Sequence, residues 1–152
     1  MQIIQCTVDD EEYPLCLKIR RQVFIEEQGV DEAIEIDAHE KEAIYFLARI
    51  EGVPVATGRF RVKGPHVKFE RVATLPSYRG QGIATRLMEA MQKVVTNKYP
   101  ELTPLMHSQK EVIPFYEKLG WEVAGEPFVE AEIEHQMMVL ASGFCCSKSL
   151  AL

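Results

Sequence analysis

The segment Ser77-Tyr78-Arg79-Gly80-Gln81-Gly82-Ile83-Ala84-Thr85 decides the fold, because it joins an apolar run to a helical pattern. The run before it, Val72-Ala73-Thr74-Leu75, is typical of a strand, and apolar residues then recur at helical spacing from Ile83 to Val95. The two glycines accept positive φ angles and carry no Cβ, so a ligand can approach the backbone closely. The loop amides, the first helical turn and the arginine together predict an anion site suited to a pyrophosphate.

Three phosphate-binding patterns compete for this segment, and two of them fail. A Walker loop requires the string GxxxxGK[ST], which does not occur in the chain. The dinucleotide fingerprint GxGxxG, with Gly or Ala in the last position, requires a small residue where Thr85 stands. The remaining pattern is Arg-x-x-Gly-x-Ala, formed by Arg79, Gly82 and Ala84. A plain strand-to-helix turn is the alternative interpretation of the same residues.

The composition narrows the class of protein. The chain has 152 residues, of which 47% are hydrophobic and 26% charged, and this fits one folded domain. Its formal net charge of -6 disfavours nucleic acid as a partner and is compatible with a cationic substrate. No apolar run of about 18 residues and no signal-peptide pattern is present, so we expect a cytoplasmic protein with no membrane partner. Cys6, Cys16, Cys145 and Cys146 lack metal-ligand spacing, and the first two are expected to be buried thiols.

Hydrophobic periodicity predicts strands and helices in the order β-α-β-β-β-α-β-α-β-β, which is an α+β fold. The three central strands, between Ala43 and Leu75, are separated by short turns and are therefore expected to form an antiparallel meander. We expect one domain over residues 1–141 and a short C-terminal extension over residues 142–152.

An acidic stretch follows the first predicted helix. Between Glu26 and Glu42 the chain contains eight acidic residues and one lysine or arginine, Lys41. One interpretation is a solvated loop. The other is an acidic lip that attracts a cationic amine through long-range electrostatics.

The Arg-x-x-Gly-x-Ala loop resembles the acetyl-CoA loop of the GNAT acetyltransferase superfamily. A second segment, Val112-Ile113-Pro114-Phe115-Tyr116-Glu117-Lys118-Leu119-Gly120-Trp121, resembles the family's FYEKLGF segment, with Trp121 in the last position. Three further strings are similar to a bacterial branch whose acceptors are mostly not settled: Glu70-Arg71-Val72-Ala73, His107-Ser108-Gln109 and Glu27-Gln28-Gly29-Val30. The resemblance implies the GNAT fold, with a mixed, mostly antiparallel sheet of six to seven strands flanked by helices.

The resemblance also implies an N-acetyltransferase that moves an acetyl group directly from acetyl-CoA to a primary amine of a small molecule or peptide, without a metal. Such transfer requires a neutral amine held against the thioester and an N–H donor for the oxyanion. In the family, the strand before the loop diverges from its neighbour and presents free amides to pantetheine. The cofactor-binding residues implied here are Val72, Ala73, Thr74, Arg79, Gly80, Gln81, Gly82, Ile83, Ala84, Thr85 and Gln109.

Tyr116 matches the family's usual proton donor to the leaving thiolate, and an aromatic core residue is the alternative. Glu70 is a candidate general base. Strand alternation would place it on one face with Lys68, Val72 and Thr74. The alternative is a cross-strand ion pair of Glu70 with Arg59, Arg61 or Lys68.

Two histidines are further candidates. His107 is a second candidate base because imidazole titrates near neutral pH, although a histidine at a strand end is more often structural. His135 stands among glutamates near the end of the fold, where it lies either on the surface or in the acceptor pocket.

Two functional hypotheses follow. The first is the enzyme described above, and the second is a CoA-binding regulatory or interaction module that has lost catalysis. The presence of Tyr116 and Glu70 favours the enzyme, because a protein that has lost catalysis has no need to retain either residue. The sequence leaves open the acceptor, the acyl chain length, the general base (Glu70, His107 or water) and the oligomeric state, for which a homodimer is one expectation.

Overall fold

The computed structural model describes residues 1–141, which form a seven-stranded sheet flanked by helices. The strands are β1 (Gln2–Cys6), β2 (Ile44–Ile50), β3 (Val53–Lys63), β4 (His66–Thr74), β5 (Thr103–Gln109), β6 (Trp121–Glu130) and β7 (Ile133–Leu140). The α-helices are α1 (Tyr13–Arg20), α2 (Glu32–Glu35), α3 (Ile83–Lys98) and α4 (Ile113–Glu117). The predicted α+β order is confirmed, with α2 as an additional short helix. The predicted extension, with Cys145 and Cys146, lies outside the described residues.

The sheet has the order β1-β2-β3-β4-β5-β7-β6. Strands β2, β3 and β4 form the predicted antiparallel meander. Within residues 1–141, β4 and β5 are the one parallel pair, because α3 carries the chain back along the sheet between them. This parallel pair lies at the centre of the sheet.

One face of the sheet packs against α3 and α4, and we call it the α3 face. Helix α3 is amphipathic, and its buried positions are Ile83, Leu87, Met88, Met91, Gln92 and Val95. These side chains pack in one core cluster with Phe60, Phe69 and Trp121. The buried indole of Trp121 donates a hydrogen bond of 3.0 Å to the Gln92 side chain, so its polar group has a partner.

The opposite face packs against α1, and we call it the α1 face. Its core contains Cys6, Cys16, Ile19, Val23, Tyr45, Leu47 and Ala73. Cys6 and Cys16 are free and buried, as predicted. Helix α1 continues directly into a π-helical segment, Arg21–Glu27, and Gly29 follows with a φ of 73°. Such π-helical turns are rare in proteins overall, and those that occur are often found at functional sites. Among the described helices, none is long and apolar enough to cross a membrane.

Strand β4 contains a bulge at Arg71. Thr57 pairs with Ala73 and Arg59 pairs with Glu70, so two residues of β4 stand opposite a single residue of β3, Gly58. Arg71 has a φ of 58°, a left-handed conformation that costs about 1–3 kcal/mol for a residue with a Cβ. The bulge therefore has to be held by its surroundings.

The bulge inverts the alternation of side chains along β4. Before it, Glu70 points to the α1 face, whereas beyond it Val72 packs against the core of the α3 face and Ala73 against that of the α1 face. The expectation that Glu70 and Val72 share a face is therefore wrong, because one extra residue shifts the period-2 pattern.

Candidate functional site

Strands β4 and β5 pair over only part of their length. The parallel pairing runs from His66 and Thr103 to Phe69 and Met106, and it ends there. Beyond this point β4 continues beside β3 and β5 continues beside β7. The two strands thus diverge and leave backbone amide and carbonyl groups facing a gap instead of each other. We call this gap the β4–β5 cleft, and Val72, Ala73 and Thr74 form its β4 wall.

The glycine loop follows the β4 wall of this cleft. A 3₁₀ turn, Pro76–Tyr78, leads from β4 to Gly80 and Gly82, which have φ angles of 76° and 79°. An added Cβ at either glycine would meet no atom within 4 Å, so the loop is open to solvent on that side. Gly82 is the N-cap of α3, which leaves the first amides of the helix, Ile83–Thr85, pointing outward without intrahelical partners. The predicted strand–loop–helix arrangement is therefore formed, with free amides at the start of α3.

Glu27, at the end of the π-helical segment, and the next residue, Gln28, contact one residue on each side of the cleft. Arg79, after β4, donates two hydrogen bonds of 2.8 and 2.7 Å to the Glu27 carboxylate and one of 2.9 Å to the Thr74 carbonyl. Gln109, at the end of β5, exchanges hydrogen bonds of 2.9 and 3.3 Å with Gln28. Arg79 and Gln109, both predicted to bind the cofactor, are thus each paired with the helix end. The pKa of the Glu27 carboxyl is lowered by its hydrogen bonds to Arg79.

Tyr116 lies on α4 and is only 8% exposed. It belongs to the core cluster of the α3 face that also contains Phe69 and Met106, the last paired residues at the apex of the cleft. Burial raises the pKa of its phenol, which keeps the hydroxyl protonated at neutral pH. The hydroxyl forms no hydrogen bond with any other of residues 1–141. This placement agrees with a core residue and also with a proton donor.

Glu70 is held in an ion-pair cluster. Its carboxylate, 7% exposed, accepts hydrogen bonds of 2.8 Å from Arg59 Nε and 3.0 Å from Arg61 Nε, and the Lys68 ammonium lies 3.4 Å away. Burial by itself would raise the pKa of Glu70, but Arg59, Arg61 and Lys68 outweigh it and hold that pKa at about 2. The ion pair anticipated from the sequence is therefore formed. A carboxylate with so low a pKa is a weak proton acceptor, so the geometry disfavours Glu70 as the general base.

Arg59 also belongs to a closed ring of alternating charges on the α1 face, which we call the charge ring. Its members, in order, are Arg20, Glu35, Arg71, Asp37, Arg59 and Glu40, joined by contacts of 2.7, 3.2, 3.0, 2.8, 2.8 and 2.7 Å. The ion pairs of the charge ring hold Arg71 in its left-handed backbone conformation. Arg71 also donates hydrogen bonds to the backbone carbonyls of Ile34 and Glu35. It therefore holds the bulge from which the β4 wall begins.

The charge ring changes the interpretation of part of the acidic stretch. Of its eight acidic residues, six are ion-paired: Glu27, Glu32, Glu35, Asp37, Glu40 and Glu42. Asp31 accepts a hydrogen bond from the Ala33 amide as the N-cap of α2. Glu35, Asp37 and Glu40 are anchored in the charge ring, whereas the other five acidic residues are exposed, as expected of a solvated loop.

Two histidines share one carboxylate on the α1 face beside the cleft. His107 follows Met106, the last paired residue of β5, and its Nδ1 lies 3.4 Å from Glu130 Oε1. The Nε2 of His135 lies 3.9 Å from Glu130 Oε2. Phe128 lies between the two imidazoles, edge-on to His107 at 4.9 Å and stacked on His135 at 5.9 Å. His135 is buried, and its Nδ1 is 2.7 Å from the Ile133 carbonyl oxygen.

The structure thus brings the β4 wall, the glycine loop, Gln109 and His107 to one cleft, and it places Tyr116 in the core of the α3 face. The sequence predicts no contact for Arg71, Glu27, Gln28 or Glu130. The strings Glu70-Arg71-Val72-Ala73 and Glu27-Gln28-Gly29-Val30 contain three of them, but nothing in the sequence indicates which residues they contact. Within residues 1–141, no group of three or more His, Cys, Asp or Glu side chains is placed to hold a metal ion.

Comparison with known proteins agrees with this geometry. Residues 7–142 match the family model described as an acetyltransferase (GNAT) domain. The uncharacterized N-acetyltransferase YjcF of Bacillus subtilis is 31% identical over 132 residues, which is 86% of this chain and 94% of that protein.

Two solved structures show the same fold. Escherichia coli ElaA superposes with a TM-score of 0.84 at 20% identity and covers 93% of this chain and 100% of its own. An aminoglycoside 6'-N-acetyltransferase complexed with coenzyme A superposes with a TM-score of 0.70 at 15% identity, over 91% of this chain and 96% of its own. The chain is therefore an acyltransferase that belongs to the GNAT acetyltransferase family.

Proposed function

We propose that this protein transfers an acetyl group directly from acetyl-CoA to a primary amine of a small molecule or peptide. The observation that carries the proposal is the divergence of β4 and β5 after Phe69 and Met106, with an open glycine loop and a helix N-terminus following the β4 wall. This arrangement offers unpaired amides for an amide-bearing arm and a positive helix end for a diphosphate.

The residues present fit acetyl-CoA, which supplies the activated thioester. The amides of residues 80–85 would hold the diphosphate, at glycines where an added Cβ meets no atom within 4 Å. Val72, Ala73 and Thr74 would bind the pantetheine arm through their backbone groups, and one of these amides would stabilise the oxyanion. Arg79 and Gln109 would contribute after exchanging their partners Glu27 and Gln28 for the cofactor. The complex of the aminoglycoside acetyltransferase with coenzyme A supports this assignment.

In this proposal Tyr116 donates its phenolic proton to the leaving thiolate. Its ring belongs to the core cluster of the α3 face that also contains Phe69 and Met106, and this placement is compatible with a hydroxyl that reaches the thioester from that face. The phenol is protonated at neutral pH and so carries a proton to donate, while burial, which raises its pKa, makes it a weaker acid than an exposed tyrosine. Glu70 is proposed as a structural ion-pair partner and not as the base, because three cations surround it.

The alternative is a CoA-binding regulatory or interaction module without catalysis. Calorimetric titration with acetyl-CoA, followed by a free-thiol assay over a panel of primary amines, separates the two. Binding followed by amine-dependent thiol release supports the enzyme, whereas binding without release for any amine supports the module. Propionyl-CoA and longer donors in the same assay test the acyl chain length. A cytoplasmic location and a homodimer stay predictions, and sedimentation measures the second.

A further inference from the structure

The direction of each side chain beside the cleft follows from the strand register. Met106 packs in the core of the α3 face together with Phe69, its partner on β4. Because side chains alternate along a strand, His107 points to the opposite face, the α1 face. Tyr116 lies with Met106 on the α3 face. Tyr116 and His107 therefore lie on opposite faces of the sheet, and His107 directly follows Met106 at the apex of the cleft.

The surroundings of His107 orient its ring. Its Nδ1 faces Glu130 of β6 at 3.4 Å, and the edge-on ring of Phe128 lies 4.9 Å away. Its Nε2 forms no hydrogen bond with any of residues 1–141, and the side chain is 26% exposed, so a ligand can reach it. The other charged or titratable groups on this side are Lys68 and Glu70 of β4 and His135 of β7.

We propose that His107 is the general base of the transfer and that Glu130 is the positioning residue that orients its imidazole. The inference rests on the proposed function above. The carboxylate of Glu70 is held by Arg59, Arg61 and Lys68, whereas His107 Nε2 has no hydrogen-bond partner among residues 1–141 and lies on the face opposite Tyr116. The amine must lose a proton and the leaving sulfur must gain one. A base on one face of the sheet and an acid on the other can perform these two transfers without occupying the same space.

The transfer uses one proton acceptor, His107, and one proton donor, Tyr116. The neutral amine nitrogen attacks the thioester carbonyl carbon, and His107 Nε2 accepts the proton that this nitrogen must lose to become an amide. The C–N bond forms, the C–S bond breaks, and the sulfur receives the proton of the Tyr116 hydroxyl. The imidazolium then loses its proton to water and the phenolate regains one, so the enzyme returns to its starting state. The carboxylate of Glu130 stabilises the imidazolium formed in between, because opposite charges attract across the 3.4 Å contact.

The test compares His107→Gln with His39→Gln. His39 also contacts a glutamate through Nδ1, at 2.7 Å from Glu42, but it lies in the loop before β2. We expect kcat to fall by roughly 100-fold or more in His107→Gln with an unchanged dissociation constant for acetyl-CoA, and both values to be unchanged in His39→Gln. The dependence of kcat/KM on pH should differ from that of wild type in His107→Gln and should be unchanged in His39→Gln.

Chemical rescue separates a base from a structural residue. His107→Ala should regain activity when imidazole is added, in proportion to its concentration, whereas Glu130→Gln should lose less activity than His107→Gln and gain nothing from imidazole. Wild-type activity with an unchanged pH profile in His107→Gln, or a loss that imidazole does not restore in His107→Ala, overturns the inference while the proposed function stands. A wild-type protein that binds acetyl-CoA and acetylates no amine overturns both.

Discussion

Arg59 and Glu70 stand opposite each other on β3 and β4, and the Arg59 Nε lies 2.8 Å from the Glu70 carboxylate on the α1 face. Removing the charge of Glu70 would leave the buried guanidinium of Arg59 partly uncompensated. We expect Glu70→Gln to lower the free energy of unfolding by about 3–5 kcal/mol, measured by urea denaturation. Glu42→Gln is the control, because its carboxylate is 53% exposed and its contact with Arg61 should contribute at most about 1 kcal/mol.

The same substitution distinguishes a structural from a catalytic role of Glu70. If the carboxylate is structural, the Glu70→Gln protein that remains folded at low temperature should keep kcat within a few-fold of wild type. A loss of turnover of about 100-fold with an unchanged free energy of unfolding would instead assign it the role of base.

The lowered pKa of Glu70 predicts how stability depends on pH. Because the pKa is about 2 in the folded protein against an ordinary 4.5, the unfolded chain takes up the proton first as the pH falls. The stabilisation is therefore complete above about pH 4.5 and is lost as the pH falls toward about 2. The difference in unfolding free energy between wild type and Glu70→Gln should shrink across this window, and a pH-independent difference would contradict the assignment.

A substitution at Gly82 tests whether the glycine loop binds the diphosphate of acetyl-CoA. We expect Gly82→Asp to weaken acetyl-CoA binding strongly, because a carboxylate at the N-cap of α3 would repel the diphosphate. Gly52→Asp is the matched control, since Gly52 also has a positive φ, 80°, and open space around it, but lies in the turn between β2 and β3. Calorimetry should show lost affinity in the first variant only. Equal affinity in both folded variants would remove the loop from the cofactor site.

A substitution at Tyr116 tests whether its hydroxyl donates the proton to the leaving thiolate. We expect Tyr116→Phe to lower kcat while the dissociation constant of acetyl-CoA stays near wild type, because the hydroxyl acts only as the thiolate leaves. Tyr99→Phe is the control, since the Tyr99 ring also contacts core aromatics, at 6.4 Å from Phe60. Equal turnover in Tyr116→Phe and wild type would leave Tyr116 as a core residue.

The sequence predicts the order of elements because each strand and helix carries its own hydrophobic period. It also predicts the glycine loop, since the positive φ angles at Gly80 and Gly82 are a local requirement. The β4 bulge is different. Arg71 adopts a left-handed conformation that its own side chain disfavours, and contacts from Glu35 and Asp37 hold it there. Tertiary contacts therefore override the local preference.

Part of the acidic stretch was misinterpreted for a related reason. Counting charges within a window of sequence finds one lysine, but the neutralising arginines come from α1, β3 and β4. Long-range ion pairs leave no periodic signal in a single sequence. The same limit hides the contact between His107 and Glu130, which are 23 residues apart. Attraction of a cationic amine by this stretch stays a prediction, and we expect it to be weaker than the count of eight carboxylates suggests, because six of them are paired with cations.

Initial-rate kinetics of the wild-type protein test direct transfer at the β4–β5 cleft most directly. Thiol release is measured while the concentrations of acetyl-CoA and of one good primary amine are both varied. If the acetyl group passes straight from the thioester to an amine bound beside it, release requires both substrates and the double-reciprocal lines intersect. Parallel lines, or a burst of thiol before amine is added, would show a covalent acetyl-enzyme and would contradict direct transfer.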